Sequence, residues 1–341
     1  MDSQNTLILD SIQKGESDFL ASIQSFAKFD PTYTRNNSAV KLLTECVQSL
    51  AKPYSPWTYL AYYNLGNWLI SKDPKQEGPV SKLVSDAKDA AFKSTNTPQP
   101  EGNVCVFGDT KIASSSLWQA ALRLFQEGGD FIADLEVPKQ SLIEHWTQEV
   151  PRARSLIRRV DRELVNLMDQ IQNLLIIAEP GPIARAIPES FGGATCFFFR
   201  GATVINASRK QSIVEIVEKL VHEYAHAELF VLGQDQPLCL NNDDEKHKVL
   251  IRNDPRPMNG IMHSLYVTGR VGELLDKLLS DGLNDIPQRE TILTEARELL
   301  KQQIRFGKSS LAQVKEHAAL TTIGNSVVTA SERRLANAEK V

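Results

Sequence analysis

The run His222-Glu223-Tyr224-Ala225-His226 is where residue type and spacing speak most directly of chemistry. Residues four apart stand about 40° from each other around an α-helix, so both imidazoles can address one metal ion. Glu223 sits beside them, within reach of a metal-bound water or ligand, and is the candidate catalytic residue. The chain has only six histidines, so a pair at ligand spacing around a glutamate is a rare accident of composition and a common mark of metal sites.

Two imidazoles need at least one further protein ligand, and His263 is the candidate. It follows Asp254-Pro255-Arg256-Pro257-Met258-Asn259-Gly260. The prolines hold an extended approach, and Gly260, on the same helical face as His263, permits close backbone approach. His247 is the weaker alternative because it stands in the acidic stretch 241–248; Asp243, Asp244, Glu245 and Asp254 are carboxylate alternatives. Glu228 lies about 200° round the helix from His226 and faces elsewhere. His145 and His317 read as ordinary helix residues. Arg270 follows His263 by seven residues, close to the same helical line and some ~10 Å along the axis. A guanidinium there can hold the far carboxylate of a small diacid bound at the metal, and Arg256 and Arg252 offer the same from the loop. A surface salt bridge is the plain alternative for each.

The elements that must position these residues are legible around them. Ser212 and Glu215 have the spacing of a capping box, and Ile213, Ile216, Val217, Leu220, Val221, Tyr224 and Ala225 then recur at helical spacing up to a stop at Gly233. The apolar stripe is broad, so the histidines are expected to point inward, toward a site. A second helix is expected from about Gly260 through Leu279. Ahead of the first, Cys196–Phe199 and Ala202–Asn206 flank Arg200-Gly201, the pattern of a β-hairpin. An open hairpin edge can take an extended peptide by strand addition, and a purely structural hairpin fits equally well. Phe197, Phe198 and Phe199 could shape a substrate pocket, and core packing is the role expected of them.

Residues 5–95 read as helices broken by loops, with Trp57–Ile70 as core and Ser94–Gly102 as a loop. Val104–Phe107 reads as a short strand, and Ser114–Phe125 and Pro138–Glu149 as helices. Pro151 reads as the first-turn residue of a helix running to about Leu174. A β-like run covers Leu174–Ala178. Helices follow over Pro287–Arg305 and from Ser309 onward. The fold class is α+β and mainly helical: a zincin-like metal helix with a small antiparallel sheet and an N-terminal helical region. The expected division is a mainly helical region over 1–150 and a metal-binding catalytic region over 151–341.

A net charge of −4 makes no electrostatic case for nucleic acid as a partner. No apolar run approaches the ~20 residues of a membrane span, and Met1–Asp10 lacks the basic start and apolar centre of a secretory signal. Cys46, Cys105, Cys196 and Cys239 are scattered without a Cys-x-x-Cys pair, so reduced thiols and a cytoplasmic location are expected.

The same ligands serve two chemistries. In a zinc metallopeptidase or amide hydrolase, the metal activates water and Glu223 is the general base. An extended His-x-x-Gly-x-x-His pattern is absent, and a glutamate ligand from the second helix would have to be Glu273 or Glu295. In a non-haem iron site, three protein ligands on octahedral Fe(II) leave three positions, two for 2-oxoglutarate and one for dioxygen. Glu223 would then orient a ligand or water.

The His-Glu-x-x-His run, together with the downstream Arg256-Pro257-x-x-Gly260-x-x-His263, resembles the HExxH-motif family of peptide-modifying proteins associated with ribosomal peptide clusters. The resemblance covers roughly residues 190–275, about a quarter of the chain. It implies Fe(II)- and 2-oxoglutarate-dependent hydroxylation of a β-carbon in a peptide or amino-acid-like substrate, with His222, His226 and His263 as metal ligands. The motif does not assign the arginine for 2-oxoglutarate. Arg270 and Arg256 are inferred from spacing.

Overall fold

Where an apolar period of 3.6 residues is sustained, the chain is helical, and the short runs of β-branched residues between such stretches pair as strands. The computed structural model describes residues 3–29, 38–49, 54–71, 74–96, 104–127, 132, 134–186, 192–251, 254–280, 283 and 285–340. Helices α1 (Ser3–Phe29), α2 (Ser38–Ser49), α3 (Pro56–Ser71) and α4 (Glu77–Asn96) precede strand β1 (Val104–Val106). Next come α5 (Ser115–Glu127), β2 (Leu135–Glu136), α6 (Gln140–Val160), α7 (Arg162–Ile171) and β3 (Leu174–Pro180). A short helix α8 (Pro182–Arg185) leads to β4 (Gly193–Thr195) and β5 (Ala202–Asn206). The remainder is α9 (Ile213–Leu232), β6 (Lys246–His247), β7 (Arg256–Pro257), α10 (Met258–Ser280), α11 (Arg289–His317) and α12 (Thr322–Ala338). The protein is α+β and mainly helical. Among the described residues no helix is long and apolar enough to cross a membrane. The expected loop over Ser94–Gly102 ends α4 in its first three residues, and its remainder lies outside the described residues.

The chain divides into two compact units, but not at residue 150. One comprises Ile12–Pro151 and Met168–Lys210, the other Met1–Ser11, Arg152–Leu167 and Gln211–Val341. The reason is non-local strand pairing: β1 pairs in parallel with β3, joining Val104 to Leu175 and Val106 to Ile177. Residues 168–210 therefore belong with the N-terminal helices, and the sheet expected in the catalytic region lies in their unit.

In that first unit the strand order is β1-β3-β5-β4, with β2 pairing on β3. β1, β3 and β5 are parallel, while β4 runs antiparallel to β5 and β2 antiparallel to β3, so the sheet is mixed; a separate two-stranded sheet, β6-β7, is antiparallel. Leu174 to Ala178 are all buried, the continuous apolar run of a strand covered on both faces. The hairpin forms, with its first strand at Gly193–Thr195 and a 3₁₀ turn at Phe197–Phe199. A strand would send successive side chains to opposite faces. Here Phe198 and Phe199 both meet the same core: Phe199 lies 5.3 Å from Trp57 and 5.8 Å from Phe125, and Phe198 lies 4.5 Å from Tyr63. Phe197 is 47% exposed and outside that core. Gly201 closes the turn at φ +86°, with no room for a Cβ beside Asn173. Pro151 lies inside α6 and not at a helix start, so that helix lacks one backbone hydrogen bond.

In the second unit α10 packs against α9, α11 and α12. The segment after α9 is clasped to the α11–α12 turn. Leu240 N–H donates to the Ala319 carbonyl at 2.8 Å, and the Asn241 amide donates to the His317 carbonyl and accepts from Ala319 N–H, each at 2.8 Å. Thr321 caps α12 through Gly324 N–H and donates to the Pro237 carbonyl. A Cβ on Gly324 would run into the Leu238 carbonyl oxygen, a backbone atom that cannot swing aside. Gly324→Ala is expected to destabilise the protein by about 1–3 kcal/mol, measured by urea unfolding. Unchanged stability would show that the clasp has slack.

Candidate metal centre

The helix carrying His222 and His226 begins where the sequence places it. Ser212 Oγ accepts from Glu215 N–H at 3.2 Å, and the Glu215 carboxylate accepts from Ser212 N–H at 2.8 Å, the reciprocal bonds of a capping box. α9 ends at Gly233, whose N–H reaches the Leu229 carbonyl. Most of α9 is buried; its half-buried residues include, beside Ile213 and Lys219, Glu215, Glu218, His222, His226 and Phe230. Their spacing of three or four residues makes them one stripe along the helix. On α10 the half-buried positions of the first two turns include Gly260, His263 and Ser264. The histidines thus lie at half-buried positions of two largely buried helices.

The two helices bring His226 and His263 together. Their Nδ1 atoms are 3.1 Å apart and their rings stack at 5.3 Å. Two nitrogens bound to one ion at ~2.0–2.1 Å stand about 3.0–3.4 Å apart, so this spacing suits a shared ion as well as a hydrogen bond between rings. Phe230 flanks His263 at 5.4 Å, and the His222 ring stands 5.1 Å from that of His226. His222 Nδ1 meets Glu218 Oε1 at 3.1 Å. The imidazoles therefore form a row, His222 to His226 to His263. Among the described residues no three His, Cys, Asp or Glu side chains gather closely enough to hold an ion as they stand. The donor set fits a divalent transition metal in chemical type and, for His226 and His263, in spacing.

The electrostatics differ along the row. Burial alone holds the His263 pKa down to about 4, leaving the neutral imidazole that a metal requires. Burial also pulls His222 down, but the hydrogen bond and charge of Glu218, with Glu223 adding its charge, outweigh it and raise the pKa. For Glu218, burial pushes up and the bond and charge of His222 push down further, leaving its carboxyl below the ordinary range. Glu223 is buried at 4% exposure.

Arg270 is placed differently from the expectation that it holds a diacid. It is buried in an ion network: its Nε donates to Glu228 Oε2 at 2.8 Å, its Nη2 to Glu228 Oε1, and its Nη1 to Glu273 Oε2 at 3.2 Å. Arg334 Nε donates to the same Glu273 oxygen at 2.8 Å, and Lys277 reaches Asp161 at 2.6 Å. Glu228, set aside as facing away from His226, is the fully buried partner that holds Arg270. Glu273, considered as a metal ligand, belongs to this network. Arg256 stands on β7, half-buried, with Nε 2.9 Å from Asp254. A Cβ at Gly260 would lie 3.7 Å from the Arg256 Cβ, so the arginine stem runs beside the start of α10. Arg252 lies outside the described residues. His247 pairs with Arg256 across β6–β7 and stacks on His317 at 4.5 Å, a separate pair of rings. Cys105, Cys196 and Cys239 are buried thiols, and Cys196 Sγ donates to the Leu124 carbonyl.

Sequence reasoning passed over Glu218 and Phe230. Each had a signal in the spacing already used: Glu218 is four residues before His222 and Phe230 four after His226. No protein-family model matches the chain, and no curated protein matches it.

Proposed function

We propose that this protein is an Fe(II)- and 2-oxoglutarate-dependent oxygenase that hydroxylates a β-carbon of a peptide or amino-acid-like substrate. The observation that supports it is the approach of His226 to His263. His226 and His263, one from each of the two sequence blocks that carry the family resemblance, lie 37 residues apart, and their Nδ1 atoms stand 3.1 Å from each other. His222, His226 and His263 would hold the iron. When bound, it supplies the activation of dioxygen that couples decarboxylation of 2-oxoglutarate to hydroxylation; 2-oxoglutarate, dioxygen and a C–H substrate become succinate, carbon dioxide and the alcohol. Glu223 orients a ligand or water beside His222. With Arg270 engaged by Glu228 and Glu273, Arg256 is the arginine proposed to hold the distal carboxylate of 2-oxoglutarate. Burial keeps His263 neutral, and the Phe230 ring packs beside its ring at 5.4 Å.

The test is succinate release by anaerobically prepared protein loaded with Fe(II), given 2-oxoglutarate and then air. Succinate is expected from the native chain and none above background from His263→Ala. Absence of succinate, with zinc-dependent peptide cleavage that Glu223→Gln abolishes, would assign the site to a hydrolase instead.

A further inference from the structure

We infer that Glu218 is the positioning residue of the metal centre: its contact with His222 Nδ1 selects the other ring nitrogen, Nε2, as the one that binds metal. This rests on the metal reading proposed above. The contact is 3.1 Å, between side chains 18% and 32% exposed, one turn apart on the stripe that carries the other α9 imidazole. A carboxylate only accepts hydrogen bonds, so a neutral His222 facing it carries its proton on Nδ1 and its lone pair on Nε2. Free imidazole side chains favour the opposite tautomer. An outer carboxylate that corrects the tautomer also fixes the ring plane and strengthens the ligand, and its loss costs roughly 10–100-fold in metal affinity. Both residues belong to one helix, tied at its start by the capping box, so the alignment does not depend on a loop. A plain helical ion pair at this spacing would add little stability and would leave metal affinity alone.

The experiment uses the full chain with ¹⁵N-labelled histidine. Six histidines give few signals, and His222→Gln identifies the one concerned. At about pH 9, where imidazole side chains are ordinarily neutral, native His222 is expected as the Nδ1–H tautomer. Glu218→Ala is expected to return it to the Nε2–H form and to weaken Co(II) binding, followed by visible absorption, by roughly 10–100-fold. Glu218→Gln, which keeps an accepting oxygen but no charge, should fall between, and carries the affinity test if the alanine variant does not fold. An unchanged tautomer in Glu218→Ala, or Co(II) affinity within about twofold of native in both variants, overturns the inference. If the native chain itself takes up no Co(II), the metal reading fails and the inference with it, a result distinguishable because it appears before any substitution.

Discussion

Replacing Glu228 with alanine is expected to cost roughly 3–5 kcal/mol of stability, because it leaves a buried guanidinium without its main counter-charge. Both Glu228 oxygens accept from Arg270, whose side chain is 7% exposed, while Glu228 is wholly buried. Glu273 does not replace it. It contacts Arg270 through one bond at 3.2 Å and is shared with Arg334 and Lys277. Desolvating an ion is expensive enough that a lone buried charge is worse than no charge. The paired change Glu228→Leu with Arg270→Met should therefore be far milder than either single change, since it leaves Glu273 and Arg334 still facing each other. Urea unfolding of the two single variants and the double variant measures this. A loss below about 1 kcal/mol in Glu228→Ala would mean that water reaches the network and screens its charges. The pair ties α9 two residues beyond His226 to α10 seven residues beyond His263, so it holds together the two helices that bring those histidines side by side.

The second large effect concerns metal uptake. His263→Ala and His226→Ala are each expected to weaken Co(II) or Fe(II) binding by more than the roughly 10–100-fold that follows loss of an outer partner, because a direct ligand disappears. His247→Ala and His317→Ala, which remove the stacked pair elsewhere in the same unit, should leave affinity unchanged. Isothermal titration with the metal alone gives the comparison, independent of any co-substrate. Equal affinity in native protein and His263→Ala would sink the three-histidine site. An equal loss in His317→Ala would move it to the other imidazole pair.

The helix carrying His222 and His226 was readable from one dimension because its information is local. A capping box, a 3.6-residue apolar period and two histidines four apart depend on neighbours within a turn or two, and the helix over Ile213–Leu232 realises them all. The same holds for the α+β, mainly helical class and for the helix bearing His263. The hairpin was readable in existence but not in register. Phe197–Phe199 looks like a strand by composition, while the shared core demands two adjacent phenylalanines on one side.

By itself the sequence determined which helices carry the candidate ligands and how His222 and His226 are spaced on theirs, since helix geometry converts spacing into direction. Only the tertiary structure decided three further matters. It joined residues 168–210 to the N-terminal helices, because parallel strands pair across long stretches of chain. It matched Arg270 with Glu228, 42 residues away, because a buried cation must find a buried anion and no local rule says which. And it set His226 against His263 while turning His222 to Glu218, because ring orientation depends on packing around each imidazole and not on its place in the motif.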